Sequence, residues 1–399
     1  MISGSKNSAL PIMAASVMVR GKVILKNMPD ISDIHNMADI LKKLGCKCSF
    51  EDGVMEIDSS CTDKTYTDYE ASSKLRASFL VAGALLAVFR KAKISLPGGC
   101  SIGQRPVDLH IRGFEALGAK SENGSGYVEL SAGDLKGAEI YLDFPSVGAT
   151  QNIIMAACFA KGTTLIGNAA AEPEVKDLGD FLNACGAKIE GAGTDTIRIE
   201  GVEKLHETTY RIISDRIEAG TFMTVAASTK GNIFLKNVNT SHLKPVMAKL
   251  SEMGVEFSEE LSGIRVNASS MLKGTIVRTM PFPGFPTDMQ SQFAALMCKC
   301  KGASTLTETI FENRFMYAGE LLRMNANIRI DGRTAYIEGV ERLCGAKVTA
   351  CDLRGGAALI VAALSADGTT EISNAHYIHR GYANLENKLK NIGADIYSE

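Results

Sequence analysis

The segment SDIHNMADILKKLGCKCSFEDGVMEID, residues 32–58, contains the structural unit from which the fold can be inferred. Its first half places Ile34, Met37 and Leu41 at helical spacing. Gly45 then offers the left-handed conformation that ends many helices. The second half alternates apolar and polar residues on both sides of Asp52-Gly53, a strong hairpin signal. The segment therefore predicts an amphipathic helix that leads into a β-hairpin.

The helix stop recurs about every 70 residues along the chain, which predicts a repeat architecture. The six stops are Leu44-Gly45-Cys46, Leu117-Gly118-Ala119, Cys185-Gly186-Ala187, Met253-Gly254-Val255, Met324-Asn325-Ala326 and Ile392-Gly393-Ala394. Ser32 or Asp33 is placed to cap the first of these helices. Asn123-Gly124 and Asp331-Gly332 predict two further hairpin turns.

A second helix, rich in Ala and apolar on nearly every side, recurs out of phase with the first. Its predicted copies span residues 7–18, 76–89, 147–160, 217–228, 287–300 and 353–365. A helix that is apolar all round must be buried on all sides. Six βα units around such helices predict an α/β protein of two similar domains, each with three units. An open solenoid is the alternative, but solenoid repeats are usually shorter.

The predicted domains are residues 7–212, with a loop at about 96–106, and residues 213–399 together with 1–6. The boundary is expected near Ile212 to Asp215. The first buried helix starts so early that its preceding strand is expected to be missing or reduced to Met1–Ser5. The sixth sheet is expected to be short of strands.

The composition excludes several classes of protein. With 43 basic and 45 acidic residues, the chain has no cationic excess for a nucleic-acid surface. The ten Cys residues form no zinc or disulfide pattern, which favours a reducing cytoplasm. No signal peptide is evident, and the longest apolar run, Ala77 to Phe89, is too short to cross a bilayer. No nucleotide-binding, metal or Ca²⁺ motif is present, so no cofactor and no obligate protein partner are predicted.

Basic residues stand at the start of four of the six buried helices, where apolar packing does not need them. They are Lys6, Arg76, Arg216 and Arg354. A helix N-terminus already attracts anions, and a guanidinium or ammonium group there strengthens the site. Four such positions favour a phosphate- or carboxylate-binding cleft between the domains. The alternative for each residue is a local salt bridge, for example between Arg354 and Asp352.

Cys100 lies in a glycine-rich segment, residues 96–106, framed by Pro97 and Pro106. Such a cysteine is expected to be accessible, and Arg105 can lower the pKa of its thiol or bring an anion to it. Most cysteines are buried and inert, which is the alternative for this one.

Two carboxylates open buried helices, namely Asp288 in the fifth and Asp352 in the sixth. The structural interpretation is a helix-dipole partner, with Thr287 as a cap. The functional interpretation is a carboxylate that accepts a proton from a substrate hydroxyl. His110 and His379 have no visible partner and are interpreted as packing or surface residues.

These residues match a known family over essentially the whole chain. The chain resembles the UDP-N-acetylglucosamine 1-carboxyvinyltransferases, the enolpyruvyl transferases of the first committed step of peptidoglycan synthesis. The motifs that carry the resemblance are residues 5–11, 75–78, 97–110, 284–290, 307–314, 352–354 and 379–382. The resemblance implies two inside-out α/β domains with the active site in the cleft between them. It implies a cytoplasmic enzyme whose substrates are phosphoenolpyruvate and UDP-N-acetylglucosamine, with no nucleic-acid or membrane partner.

The resemblance also implies roles for individual residues. The phosphate and carboxylate of phosphoenolpyruvate are expected at Lys6, Arg105 and Arg354, with Arg76 and Arg380 added on closure. Asn7 and Asp288 are expected at the sugar 3-hydroxyl. The remaining substrate-binding positions are Arg105, Pro106, Val107, Asp108, Leu109, Ser146, Val147, Gly148, Ile310 and Arg314. Some relatives have Lys where this chain has Phe144, so one diphosphate contact is expected to be lost or replaced.

The implied mechanism is addition followed by elimination through a tetrahedral adduct. Cys100 protonates the methylene carbon of phosphoenolpyruvate, Asp288 takes the proton of the attacking hydroxyl, and phosphate then leaves. In the family the epoxide fosfomycin alkylates the cysteine that Cys100 matches. Three alternatives remain: an enolpyruvyl transferase acting on shikimate 3-phosphate, a catalytically silent paralogue that binds the UDP-sugar, and an RNA-phosphate cyclase of related architecture.

Overall fold

A computed structural model describes residues 1–67, 69–70, 75–96 and 106–398, with only the backbone of Arg76. The described chain forms two compact units. One extends from Gly4 to Ile213, and the other comprises Met1–Ser3 and the chain from Ser214 onward. Helices and sheets are interleaved in both units, which confirms the predicted α/β class.

Within the described ranges, the unit that begins at Gly4 is built of the following α-helices and β-strands. The helices are α1 (Lys6–Ala15), α2 (Ser32–Lys43), α3 (Val81–Phe89), α4 (Asp108–Ala116), α5 (Val147–Ala157) and α6 (Pro173–Ala184). The strands are β1 (Lys22–Lys26), β2 (Lys47–Glu51), β3 (Val54–Asp58), β4 (Tyr66–Thr67), β5 (Lys91–Ser95), β6 (Lys120–Gly124), β7 (Tyr127–Ser131), β8 (Glu139–Tyr141), β9 (Thr163–Gly167), β10 (Lys188–Glu190), β11 (Thr196–Glu200) and β12 (Thr208–Arg211). Helices α1, α3 and α5 are almost wholly buried, and α3 packs against both of the others.

The other unit repeats this plan. Its helices are α7 (Arg216–Ser228), α8 (Lys244–Met253), α9 (Gln290–Met297), α10 (Ala318–Arg323), α11 (Leu353–Ala363) and α12 (Leu385–Lys390). Its strands are β13 (Asn232–Lys236), β14 (Glu256–Glu260), β15 (Gly263–Asn267), β16 (Ile276–Arg278), β17 (Ala303–Thr307), β18 (Asn327–Asp331), β19 (Thr334–Glu338), β20 (Lys347–Thr349) and β21 (Glu371–Ser373). The buried helices α7, α9 and α11 pack on one another, as their Ala-rich sequence predicts.

In the described residues, three sheets lie around the buried helices of each unit. Their strand orders are β12-β1-β3-β2, β4-β5-β7-β6 and β8-β9-β11-β10 in the unit from Gly4, and β13-β15-β14, β16-β17-β19-β18 and β20-β21 in the other. In each four-stranded sheet, one parallel strand and one antiparallel hairpin flank a shared central strand. The repeat read from the sequence is therefore a repeat of this mixed sheet.

The first sheet confirms one expectation and adds a feature that was not predicted. The strand before α1 was expected to be missing or reduced to Met1–Ser5, and no strand precedes α1. Its place beside β1 is taken by β12, the last strand of the same unit, which pairs in parallel with Val23 opposite Thr208. The chain thus returns to its own beginning to complete the sheet.

Left-handed residues end the helices at all six predicted stops. The φ angles are 102° at Gly45, 94° at Gly118, 98° at Gly186, 111° at Gly254, 68° at Asn325 and 98° at Gly393. Glycine and asparagine tolerate this conformation better than other residues do. The prediction that these positions stop helices is confirmed.

Asparagine side chains fasten three of the sheets, each just after the strand that follows a buried helix. Asn27, Asn168 and Asn237 have φ angles of 60°, 52° and 61°. Their Nδ2 atoms donate to the carbonyl oxygens of Ile212, Leu142 and Ile2 at 2.9, 2.6 and 2.8 Å. Each amide thus ties the end of that strand to the segment beside it. No periodic pattern in the sequence had indicated these contacts.

Two turn predictions were displaced and one cap prediction was wrong. Asp52-Gly53 does form the turn between β2 and β3. Asn123-Gly124, however, ends β6, and Asp331 ends β18, so both turns lie further along the chain. Neither Ser32 nor Asp33 is the N-cap residue of α2, because Ile31 holds that position and its side chain makes no capping hydrogen bond. Within the described ranges, no helix is long and apolar enough to cross a membrane.

Two glycine-to-alanine substitutions separate conformational strain from helix propensity. Gly254 has φ 111° and an uncrowded Cβ position, whereas Gly319 lies exposed in α10 with open space around it. Gly254→Ala should lower the free energy of unfolding by about 1–3 kcal/mol, since alanine is strained at this φ. Gly319→Ala should raise it by up to about 1 kcal/mol. Urea unfolding measures both, and equal effects would contradict the role of φ at the stop.

Candidate active site

Asp288 is shared between two buried arginines. It lies in the short 3₁₀ turn Thr287–Met289 that leads into α9. Its Oδ1 accepts a hydrogen bond from Arg314 Nη2 at 3.0 Å, and its Oδ2 accepts one from Arg354 Nη2 at 3.0 Å. The arginine side chains are 3% and 5% exposed, whereas that of Asp288 is 28% exposed. The carboxylate is therefore the accessible member of a charged cluster.

Arg354 is held at the start of α11. Asp352 caps this helix, because its Oδ1 accepts from the backbone nitrogens of Arg354 and Gly355 at 2.8 and 3.1 Å. The predicted salt bridge between Arg354 and Asp352 is wrong, since the guanidinium group reaches Asp288 instead. Burial alone would lower the pKa of Arg354, but the carboxylate of Asp288 outweighs it and raises that pKa. Arg354 therefore stays a cation inside the protein.

Both arginines keep hydrogen-bonding capacity. Arg354 Nη1 and Arg314 Nε are buried, and neither has a hydrogen-bond partner in the described part of the chain. An unsatisfied N–H group of a buried cation is costly, and an anion or a carbonyl oxygen can satisfy it. The cluster can thus accept an anionic ligand in addition to Asp288.

Glu308 organises the loop that carries Ile310 and Arg314. Its Oε1 accepts from the backbone nitrogens of Ile310 and Phe311 at 2.8 and 3.2 Å, and from Thr279 Oγ1 at 3.0 Å. Its Oε2 accepts from Thr287 Oγ1 at 2.9 Å. Thr287 is therefore not the helix cap that the sequence predicted. Glu308 lies within the sequence motif 307–314, but no function was predicted for it.

Lys6 begins α1 and is paired with a buried carboxylate. Its Nζ lies 2.6 Å from Asp33 Oδ2, with side-chain exposures of 13% and 2%. Asp33 was predicted as a possible cap of α2, but its partner is Lys6. Asn7 follows in the first turn of α1 and is half-buried.

Ser8 in the same turn is anchored by Asp177. Asp177 Oδ2 accepts from Ser8 Oγ and from the backbone nitrogen of Ile213 at 3.4 Å, and its Oδ1 accepts from Tyr210 Oη at 2.7 Å. Burial raises the pKa of Asp177. Helix α6, the first turn of α1 and the end of β12 are thereby joined at one carboxylate. The sequence showed no sign of this role.

Ser146, Val147 and Gly148 form the start of α5. Ser146 Oγ caps the helix by accepting from the Ala149 nitrogen at 3.4 Å. Gly148 faces the ring of His110, and a Cβ atom there would lie 3.1 Å from its Cε1. The two helix starts at Ser146 and at Asp108 therefore come together, and a Cβ atom at position 148 would crowd the imidazole ring of His110.

His110 is a packing residue, one of the two possibilities predicted for it, and belongs to a hydrogen-bonded core. Asn152 Nδ2 lies 2.8 Å from its Nδ1, while Asn152 Oδ1 accepts from the Gly83 nitrogen at 2.8 Å. The Gly83 amide can only donate, so it fixes the orientation of Asn152, and His110 Nδ1 must be the acceptor. Burial lowers the pKa of His110 to about 4. The imidazole is therefore neutral at physiological pH.

The other predicted site residues have the following positions. Pro106 and Val107 precede α4, and Asp108 and Leu109 are its first two residues. Arg380 ends the 3₁₀ turn Ala375–Arg380 and is half-buried. Cys100, Arg105 and the side chain of Arg76 lie outside the described residues. His379 pairs with Glu386 at 2.7 Å on the surface. No group of metal-ligating side chains occurs in the described ranges.

The comparisons with known proteins place this fold in one class. The sequence model of the family described as EPSP synthase (3-phosphoshikimate 1-carboxyvinyltransferase) matches residues 1–389. The solved enolpyruvyl transferase NikO from Streptomyces tendae superposes with a TM-score of 0.90 at 24% identity, covering 99% of this chain and 94% of that one. An EPSP synthase from Acinetobacter baumannii gives 0.74 at 19% identity, covering 98% and 95%. The chain thus has the fold of the enolpyruvyl transferases.

Sequence relatives show which family of enolpyruvyl transferases the chain belongs to. A UDP-N-acetylglucosamine 1-carboxyvinyltransferase 1 of Caldanaerobacter subterraneus subsp. tengcongensis is 53% identical over 396 residues, covering 99% of this chain and 95% of the relative. The UDP-N-acetylglucosamine 1-carboxyvinyltransferase of Finegoldia magna is 53% identical over 399 residues, covering 99% and 94%. The chain belongs to the family of the UDP-N-acetylglucosamine 1-carboxyvinyltransferases and is an enzyme of that family.

The neutral state of His110 predicts a pH dependence of stability. Its pKa of about 4 in the folded protein lies below the ordinary value of 6.5. Between these values the unfolded chain binds the proton and the folded chain does not, so stability is lost as the pH falls from about 6.5 to about 4, by at most about 3 kcal/mol. Urea unfolding across this range should give a shallower decline for His110→Gln. The exposed His206→Gln is the control and should keep the wild-type decline; equal slopes for all three proteins would contradict the assignment.

Proposed function

We propose that this enzyme transfers the enolpyruvyl group of phosphoenolpyruvate to the 3-hydroxyl of UDP-N-acetylglucosamine and releases phosphate. The observation that carries the proposal is the carboxylate of Asp288 between Arg314 and Arg354, each of which has one N–H group without a partner among the described residues. A partly exposed carboxylate can accept the hydrogen of a hydroxyl group, while the fixed cations attract an anion beside it. Hydroxyl and anion are the two partners that the reaction brings together.

The donor substrate, phosphoenolpyruvate, is assigned to a set of basic residues, two of which lie at the starts of buried helices. Lys6, Arg105 and Arg354 bind the phosphate and carboxylate groups of phosphoenolpyruvate, and Arg76 and Arg380 add charge on closure. Lys6 and Arg354 each begin a buried helix, where the unpaired amides reinforce the attraction for anions. Asp33 and Asp288 compensate these two charges in the absence of substrate. Substrate anions therefore compete with these carboxylates for the same cations.

The acceptor is assigned to residues on several elements. Asn7 and Asp288 contact its 3-hydroxyl, while Arg105 to Leu109, Ser146, Val147, Gly148, Ile310 and Arg314 surround the rest of the UDP-sugar. Phe144, 44% exposed, stands where some relatives have a lysine. The diphosphate then relies on Arg105 and on the amides at the start of α5. We assign substrate-binding residues to both proposed domains, one of residues 7–212 and one of residues 213–399 with 1–6.

The chemical steps follow from these groups. The Cys100 thiol gives its proton to the methylene carbon of phosphoenolpyruvate, and the 3-hydroxyl oxygen adds to the adjacent carbon as Asp288 takes its proton. The tetrahedral adduct then loses phosphate, and loss of a proton from the methyl group restores the double bond. The arginines offset the negative charge of the donor throughout. No cofactor is needed, and in the cell the product enters peptidoglycan synthesis in the cytoplasm.

Two other activities remain as alternatives. The matching family model and one solved neighbour are described as EPSP synthases, which keeps shikimate 3-phosphate as a second candidate acceptor. The relatives at 53% identity support the UDP-sugar instead. A catalytically silent paralogue would bind the UDP-sugar without turnover. The charged cluster formed by Asp288, Arg314 and Arg354 is complete, which supports an active enzyme rather than a catalytically silent paralogue.

Phosphate release decides among these functions. Purified protein is incubated with phosphoenolpyruvate alone, with UDP-N-acetylglucosamine, or with shikimate 3-phosphate. We expect release only with the UDP-sugar. Cys100→Ser should lower the rate by about 10²- to 10⁴-fold, the usual contribution of a general acid. Cys344→Ser, which alters an exposed cysteine, is the matched control and should keep the wild-type rate.

Fosfomycin provides a second readout for the acid. The Cys100 thiolate should open the epoxide and form a carbon–sulfur bond, so intact-mass and peptide analysis should find one adduct on Cys100 and none on Cys344. Binding of the UDP-sugar without phosphate release would indicate the silent paralogue. Release with shikimate 3-phosphate alone would replace the proposed acceptor.

A further inference from the structure

Behind Asp288 and Arg354 lies a polar network that the proposed chemistry does not use. Tyr382 is 2% exposed, yet its ring lies beneath the Arg354 guanidinium group, with 5.5 Å between the guanidinium carbon and the ring centroid. Its Oη is 2.9 Å from Thr221 Oγ1 on α7 and 3.2 Å from Gln292 Nε2 on α9. One side chain thus contacts the cation with its face and two buried helices with its hydroxyl group.

The direction of these hydrogen bonds is fixed by groups that can act in only one way. Thr221 Oγ1 donates to the carbonyl oxygen of Ile217 at 2.8 Å, so its own proton is committed there. Tyr382 must therefore donate its proton to Thr221, and its oxygen accepts from Gln292. A chain of donors thus runs from Gln292 through Tyr382 to Thr221 and ends on the backbone of α7.

Gln292 connects this chain to Asp288. Its Nε2 also donates to the carbonyl oxygen of Asp288 at 3.0 Å, and its Oε1 accepts from Ser291 Oγ at 3.0 Å. Nε2 also lies 3.1 Å from Thr221 Oγ1, so the amide is held with its nitrogen toward Asp288, Tyr382 and Thr221. The backbone of Asp288 and the guanidinium group of Arg354, whose side chains bond to each other, rest on the same pair of residues.

We propose that Tyr382 is a positioning residue that holds Arg354 with its ring and, through Gln292, holds the backbone of Asp288, so that cation and carboxylate keep a fixed separation during the reaction. This inference deepens the proposed function and rests on it. Neither Tyr382 nor Gln292 is among the residues assigned to substrate binding above. A cation–π contact resists tilting of the guanidinium plane, and a satisfied buried chain resists rotation of the tyrosine. Small displacements at such groups have large effects on rate, since transition-state charge must be met by preorganised partners.

Two substitutions at Tyr382 separate the ring from the hydroxyl group. Tyr382→Phe keeps the ring beneath Arg354 but removes Oη, which together with Thr221 Oγ1 holds Gln292 Nε2, and so weakens the support of Asp288. We expect kcat to fall about 10-fold while KM for phosphoenolpyruvate stays within about 2-fold. Tyr382→Leu removes the ring as well, and KM for phosphoenolpyruvate should then also rise by about 10-fold.

The matched control is Tyr317→Phe. Tyr317 is also fully buried in the same unit, and its hydroxyl group donates to Gln290 Oε1 at 3.0 Å rather than joining the chain at Tyr382. Tyr317→Phe should lower the melting temperature and leave kcat per folded molecule unchanged. A purely structural role for Tyr382 predicts the same result for Tyr382→Phe and would overturn the proposal.

A double-mutant cycle tests the path through Gln292. If Gln292 and Tyr382 act as one chain, Tyr382→Phe combined with Gln292→Met should lower kcat no further than the more harmful single substitution does. Multiplied effects would show that the two residues act separately and would overturn the link to Asp288.

Anion binding keeps the inference testable if turnover fails. Calorimetry with inorganic phosphate reports on Arg354 without the reaction. Tyr382→Leu should weaken phosphate binding by about 10-fold, and Tyr382→Phe should change it less than about 2-fold. A wild-type protein that binds phosphate without turnover would refute the proposed function. Equal phosphate affinity in the wild type and Tyr382→Leu would refute the positioning role.

Discussion

Helices that are buried on every side can carry charged groups only at their ends, and this constraint shapes the whole molecule. The sides of the six buried helices are given to Ala and other small or apolar residues, which allow close packing. Their first turns hold the polar chemistry, as at Lys6, Ser146, Asp288 and Arg354. Unpaired amides and the helix dipole favour anions at these same ends. The packing that stabilises each unit therefore also decides where a ligand can be bound.

Features of the fold that depend on local conformation were predictable from the sequence. All six helix stops have positive φ. They could be predicted because glycine or asparagine has little other reason to recur at such positions. Turn positions were less secure: Asn123-Gly124 continues a strand, because the pairing of β6 with β7 extends to Gly124 and outweighs the local turn preference. The parallel pairing of β12 with β1 was missed for a different reason, since no local pattern reports a partner near the other end of a domain.

The site was predictable to a smaller extent. Residue types and positions at helix starts identified Lys6, Asp288 and Arg354, but not their partners, because ion pairing depends on side-chain direction in three dimensions. Arg354 reaches Asp288 rather than its neighbour Asp352, which is occupied with capping α11. Asp177, Glu308, Gln292 and Tyr382 support the site from distant positions, and a single sequence offers no periodicity or charge pattern for such residues. The roles of Cys100 and Arg105 stay predictions.

The return of β12 to β1 also has a consequence for how the chain acquires its structure. Asn27 and Ile212, joined at the end of this pairing, are 185 residues apart. During synthesis the hairpin of β2 and β3 can form early and pair with one edge of β1. The other edge of β1 stays unpaired until β12 has been synthesised, when nearly the whole unit has left the ribosome. Contacts of such sequence separation carry a large loop-closure entropy and slow folding. Until then, the exposed edge of β1 can pair with a wrong strand or bind a chaperone. Pairing with β12 covers this edge.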